Sequence, residues 1–525
     1  MSPDYQNSLI SILADLLREQ TRCSIKKYWA ICADETKDLS KKEQLGLIIR
    51  FIDSNAIIRE ETFGSTHLEQ LDAASLANAI KDLVEKHGLD WSTCVAQCYD
   101  GASVMSGACN GVQAILKGFA PQARYIHCHA HRLNLVLVQS IASCPEVRNF
   151  FSCIQALYVF LSRSAPRHEL FLRTQQERGE KKIELERLAD TRWCYWFSSI
   201  QKIRIRLGSI LETLRVISDE ANSTEDRSEA SGLLATIDAK FLLILEIMSS
   251  ILGPIDIASR QLQSKSLVLS GVNSLLQAVQ QQVLELRSEE RWFKMVEATK
   301  SLCKQFSIQI EKPRRSVAIS RRLLDFYVET TVGARARNRT EEDRDIFQTY
   351  RSDILYFIVD RVTSELRQRF GENSSVIQGL EAFEPSSPKF LDARLIQDFV
   401  RDFPTLLVNE LKFESEIVLA KSYLQRMKPE CPSKALAYLY MNKDAFAVIS
   451  EAFEIALTLP VSTASNERFF STLRRVKTYL RTTMTDERLS DLLVIATQPE
   501  KAKKIDYNIA VDKFASLKQR RFPLE

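Results

Sequence analysis

The sequence predicts an α/β protein in which a mixed sheet with helices is interrupted by a large all-helical insertion, so that the chain is helix-rich overall. Three observations lead there. Short apolar runs separated by turn residues crowd the stretch from Tyr28 to His127. From about Pro145 to Met441 strand signals are sparse and apolar residues recur at helical spacing. The last block, from near Phe446, is helical again.

The elements follow in order. Leu9, Ile12, Leu13, Leu16 and Leu17 make one face of a helix over about Ser8 to Glu19. Tyr28 to Ala33 is a buried strand that stops at Asp34. Leu45 to Ile52 and Ala56 to Phe63 are two more strands, with Asp53-Ser54-Asn55 supplying the turn. Leu76, Ile80, Leu83 and Val84 mark a helix that Gly88 ends. Val95 to Tyr99 is a fourth strand and it too ends on an acid, Asp100. Arg124 to His127 is a fifth, running into the helical pattern Leu133, Leu135, Val136 and Val138.

In the helical stretch, Phe151, Ile154, Leu157, Tyr158 and Leu161 form one stripe. Leu233 to Leu252, closed by Gly253-Pro254, and Leu262 to Leu286 read as longer helices. Residues 312–345 break the pattern with many arginines and read as a mobile basic loop. The expected organisation is an N-terminal helical lead (1–27), the first part of the sheet domain (28–145), the insertion (146–441) and the last part of the sheet domain (442–525).

Composition narrows the class. Hydrophobic residues make up 45% and charged ones 26%, which suits a folded globular chain of this length. A net charge of +4 over 525 residues does not by itself signal a nucleic-acid partner, so local clusters must carry that case. Lys202, Arg204 and Arg206 form one such cluster and residues 312–339 another. No apolar run reads as long enough to span a bilayer, and the polar, acidic start does not read as a signal peptide. Eleven cysteines without a CxxC pair fit free thiols in a reducing compartment, which predicts an intracellular chain without a membrane partner.

Two strands that end in aspartate can bring carboxylates together around a hard cation such as magnesium. With 67 acidic residues in the chain the pattern alone is a weak signal, and two strand-end aspartates read more readily as turn formers. Cys128 and His131 have the spacing of a zinc half-site, but no second pair stands nearby. Trp193 sits beside polar Asp190, Thr191 and Arg192 and reads either as a core residue or as a stacking platform, and Trp196 can serve packing instead.

Four blocks then resemble the hAT-type DNA transposases, of the kind related to MYM-type zinc-finger proteins. They are Cys32-Ala33-Asp34-Glu35-Thr36-Lys37-Asp38, Cys98-Tyr99-Asp100-Gly101-Ala102-Ser103, His127-Cys128-His129-Ala130-His131-Arg132-Leu133-Asn134-Leu135, and Ser465-Asn466-Glu467-Arg468-Phe469-Phe470, continuing through Lys477-Thr478-Tyr479-Leu480-Arg481. The resemblance implies an RNase H-like sheet with a helical insertion before its last helix. It implies that Asp34, Asp100 and Glu467 are catalytic and hold Mg2+ or Mn2+, and that His131 lies near the scissile phosphate. Thr191-Arg192-Trp193 matches a further family motif, so Arg192 and Trp193, with Arg314 and Arg315 of the basic loop, are expected to contact DNA.

The same resemblance implies a C-terminal dimerisation region, which would place the stripes Phe469, Leu473, Val476, Leu480 and Leu489, Leu492, Leu493, Ala496 at a partner. The expected partners are DNA and a second copy of the chain, with no small-molecule substrate, and the expected location is the nucleus. Family members carry a zinc-binding module ahead of the catalytic domain; none stands ahead of the first strand in this sequence, so the chain is expected to be either a partial product or one that has lost that module. The alternative function is therefore a domesticated, non-catalytic dimerising protein associated with DNA or with regulation.

Overall fold

The computed structural model describes residues 3–188, 194–310, 346–370, 379–403, 410–478, 481 and 483–517. The chain divides into two compact units. The first comprises Met1–Leu133, Ser259–Leu276 and Phe370–Glu525, and the second Asn134–Ala258 and Gln277–Arg369.

The first unit is built on one five-stranded sheet. Helix α1 (Pro3–Ser24) precedes strands β1 (Trp29–Lys37), β2 (Glu43–Ile52) and β3 (Ile58–Leu68); helix α2 (Ala73–Lys86) leads to β4 (Cys94–Tyr99) and then β5 (Arg124–His127). The spatial order is β3-β2-β1-β4-β5. The pairs β1/β2 and β2/β3 are antiparallel, whereas β1/β4 and β4/β5 are parallel. This is the mixed sheet that the alternation of short apolar runs predicts.

One expectation about β1 changes. The strand does not stop at Asp34 but continues through Glu35, Thr36 and Lys37, which pair with Leu45, Gln44 and Glu43. Its parallel partner gives out earlier, at Cys32 opposite Cys98. Polar residues belong in the extension because only one neighbour continues there, and Asp34 stands just past the point where the sheet narrows. Similarly β3 begins at Ile58 and runs on to Leu68, beyond the apolar run that marked it.

Side-chain alternation splits this unit's core in two. On one face Ile31, Ala33, Leu45, Leu47, Ile49 and Phe51 pack with Leu76, Ala77, Ile80, Leu83 and Val84 of α2. On the other, Cys32, Ile48 and Cys98 meet Phe469, Phe470 and Leu473, together with Leu489 and Leu493. Both stripes expected at a partner therefore supply core within one chain. Leu473 and Leu489 are 1% and 0% exposed, Val476 and Leu492 are half-buried, Ala496 is exposed, and Leu480 lies outside the described residues.

Among its described residues the second unit has helices and connecting loops but no strand. Helix α3 (His129–Ala142) leads into α4 (Pro145–Arg163), whose buried Phe151, Ile154, Leu157 and Leu161 form the expected stripe. Next come α5 (Ala165–Glu177), α6 (Cys194–Glu220), α7 (Thr224–Thr236) and α8 (Ala239–Leu262). Phe151 meets Trp196 at 4.2 Å between ring centres, so Trp196 is a core indole. Further helices are α9 (Ser270–Glu285), α10 (Glu289–Phe306) and α11 (Phe357–Phe370), the last preceded by a short helix at Ile346–Tyr350 and a π-helical turn at Arg351–Tyr356.

Two helix boundaries differ from the sequence reading. Helix α8 runs straight through Gly253-Pro254, because Ile251, Leu252, Ile255 and Ala258 are all buried and hold both sides of the proline. That burial outweighs a local cost of about 3 kcal/mol. By length and composition α8 would also cross a membrane, but most of its apolar window is buried inside the protein. The expected helix from Leu262 starts only at Ser270, since the carbonyls of Lys265 and Leu267 turn to accept from the Arg50 guanidinium at 3.4 and 3.2 Å.

Candidate functional site

The site grows from the two central strands and one late helix. Helices α12 (Ala393–Arg401), α13 (Glu410–Met427), α14 (Pro432–Tyr440) and α15 (Ala447–Thr458) lead to α16 (Ala464–Val476), with α17 (Asp486–Thr497) and α18 (Tyr507–Ser516) after it. Asp34 shares the parity of Cys32 in β1, and Asp100 that of Cys98 just beyond β4, so both point to the face that α16 covers. Glu467 lies in the first turn of α16.

The Asp34 carboxyl feels the other two acids. Burial raises the Asp34 carboxyl to about 8, and Asp100, Glu35 and Glu467 push in the same direction by charge repulsion. The backbone N–H of Glu35, donating to Oδ1 of Asp34 at 2.9 Å, pulls the other way. Asp100 also acts as the turn former that its position suggested, accepting from the Ala102 N–H at 3.2 Å. Among the described residues no three His, Cys, Asp or Glu side chains are already arranged around a single point that could hold an ion. The donor set itself, carboxylate oxygens that repel one another, is the chemistry that suits Mg2+ or Mn2+.

Several residues that the sequence reading passed over hold Glu467 in place. Asn466 is fully buried and donates from Nδ2 to the carbonyls of Gly46 (2.8 Å) and Cys32 (3.4 Å). Ser465 hydrogen-bonds the Glu60 carboxylate, and Arg468 donates to the Gln263 carbonyl at 3.1 Å. Glu60 is itself paired with buried Arg50 at 2.7 Å. At the far end of α16, buried Lys477 meets the Asp38 carboxylate at 2.5 Å. Burial opposes the charge on Asp38, but Lys477 and the N–H donors of Lys42, Ser40 and Gln44 prevail and hold its carboxyl below the usual range.

Gly46 sits directly opposite Asp34 in the sheet, and a Cβ there would lie 2.6 Å from the Phe469 ring. A lone glycine inside an apolar strand was the available signal for so close an approach.

A ladder of stacked rings, Tyr99, Tyr125, His127 and His131, runs from β4 through β5 into α3 at centre distances of 6.1, 6.5 and 5.9 Å. It places the half-buried His131 beside His127, whose ring a Cβ on Gly101 would strike at 2.3 Å. Cys128 is buried and accepts at Sγ from the N–H of His131 (3.5 Å) and of Thr463 (3.3 Å), so it braces the α16 approach. The enclosed core histidine of this motif is His129, which bonds the Val461 carbonyl and which burial depresses to about 3.

Of the expected DNA contacts, Arg192, Trp193, Arg314 and Arg315 lie outside the described residues. The cluster at 202–206 is not a free basic patch. Lys202 pairs with Glu186 at 2.6 Å, Arg204 with Glu246 at 2.9 Å, and Arg206 is buried against Glu180 and Gln175.

Asp34 makes a pH prediction. Its folded-state value, about 8, lies above the roughly 4 of an exposed carboxylate, so the folded state holds the proton more tightly. The associated stability is fully present below the unfolded value and is lost as the pH rises through about 8. In chelator, Asp34→Asn should therefore melt above the parent at pH 8, by about 1–3 kcal/mol after discounting for solvent access. The gap should close toward pH 4; a gap of equal size at both would contradict the assignment.

The sheet order and the late helix are those of an RNase-like fold. Residues 1–111 match the ZMYM1/FAM200 RNase-like domain, and residues 417–500 match the hAT family C-terminal dimerisation region. By these two matches the chain resembles the hAT-type transposases. It is similar to the human "52 kDa repressor of the inhibitor of the protein kinase", 23% identical over 98% of this chain and 67% of the relative. The mouse protein of the same name is also 23% identical, over 98% and 68%.

Proposed function

We propose that the protein is a metal-dependent DNA strand-cleaving and strand-transfer enzyme of the hAT type that works as a dimer in the nucleus. The single observation that carries this reading is the electrostatic coupling of Asp34 to Asp100 and Glu467, three acids drawn from distant parts of the chain to one face of the sheet. Repelling carboxylates held together by a dedicated scaffold are costly without a cation to neutralise them.

Asp34, Asp100 and Glu467 would hold Mg2+ or Mn2+, which when bound neutralises charge at a phosphodiester. Around it the chain's own groups orient the reactants. Asn466 and Ser465 fix the helix that carries Glu467, and the His131 ring offers a hydrogen bond to a phosphate oxygen. Arg192, Trp193, Arg314 and Arg315 are proposed to grip the DNA, on their sequence alone. The second reading, a domesticated dimeric regulator, is favoured by the carboxylates not yet enclosing one point and by the repressor named among the relatives.

A nicking assay on end-containing duplex with Mn2+ separates the two. The parent should cut, and Asp100→Asn should lower the rate by about 100-fold or more while melting normally. A folded parent that never cuts, or an Asp100→Asn variant that cuts equally well, removes the enzymatic reading.

A further inference from the structure

Within residues 417–500 the apolar stripes of α16 and α17 are consumed by the core of a single chain, so they do not explain a dimerisation region. Helix α13 does. Its inner face is complete: Phe413, Ile417, Ala420 and Leu424 are buried, and Glu416 caps the neighbouring helix by accepting from the Ile449 N–H at 2.7 Å. On the opposite face Val418 and Leu419 are 66% and 55% exposed. Among the described residues of 417–500 the other exposed large apolar side chains are Met427, which lies off this face, and Met441, which lies beyond α14.

Charge along the same face is polarised. Exposed Glu414 stands on the N-terminal side of Val418, and exposed Lys421 and Arg426 stand on the C-terminal side. An antiparallel helix of the same kind would set Val418 and Leu419 against their own copies and Glu414 against Lys421 and Arg426. Such a surface is self-complementary, as a two-fold interface requires.

We propose that the outer face of α13, centred on Val418 and Leu419, docks the same face of a second copy of this chain in antiparallel orientation. This rests on the self-association reading above and specifies its surface.

Sedimentation equilibrium of the full chain, with a melting curve alongside, tests it. The parent should run as a dimer, and Val418→Glu with Leu419→Glu should weaken association at least about 30-fold with melting unchanged. Glu414→Lys or Lys421→Glu alone should weaken it, and the two together should restore it. This charge exchange decides the matter if the glutamate variant fails to fold. A dimeric parent whose association is indifferent to these changes overturns the inference and leaves self-association standing. A monomeric parent overturns both.

Discussion

Asp38→Ala should destabilise the protein by about 3–5 kcal/mol, because it leaves the Lys477 ammonium buried without its carboxylate. Both partners are enclosed, at 2% and 0% side-chain exposure, so neither can turn to solvent. Lys477→Met should cost less, since Asp38 keeps the N–H donors of Ser40 and Lys42 at 2.7 and 3.1 Å. Replacing both at once, with Asp38→Ala and Lys477→Met, should recover much of the loss, because no buried ion is then left without its partner. Denaturant midpoints of the four proteins give the coupling directly. If Asp38→Ala melts like the parent, the pair does not anchor α16.

Leu473→Glu should unfold the chain rather than release a folded monomer. The side chain lies between α16 and the sheet with Phe469, Phe470 and Leu489, and an unpaired carboxylate there costs several kcal/mol (roughly 3–5). Leu489→Glu should behave alike. Light-scattering mass beside a melting curve checks this, and a well-folded monomer from either variant would return these stripes to an interface.

Much of this architecture was legible in the sequence. Short apolar runs at β1, β2 and β4 placed those strands within a few residues, because most of their paired residues are apolar and turn or acidic residues bound the runs. The extension of β1 past Asp34 was not legible. Glu35-Thr36-Lys37 carries no apolar signal, and only the antiparallel partner shows that it is strand. Pro254 misled for the converse reason: local propensity argues for a stop, and burial on both sides overrides it.

The acids themselves could be named from the motif blocks, whereas their supports could not. Asn466, Asp38, Lys477 and Glu60 are polar residues whose partners lie hundreds of positions away or on another strand, and no spacing rule joins them. Gly46 alone carried a local signal, as a glycine within an apolar strand, and the sequence reading passed over it. The basic cluster at 202–206 shows the opposite failure, since its neutralising partners Glu180, Glu186 and Glu246 are remote from it in sequence.

Calorimetric titration of Mn2+ into the full chain just above pH 8, where Asp34 gives up its proton and the acids repel one another, tests the central claim most directly. Because residues that merely orient a ligand already affect affinity by about 10–100-fold, losing a ligand should cost at least that much. The account predicts that the parent binds Mn2+ and that Asp34→Asn, Asp100→Asn and Glu467→Gln each weaken binding tenfold or more. Binding unchanged by all three substitutions, or a folded parent that binds none, would contradict it.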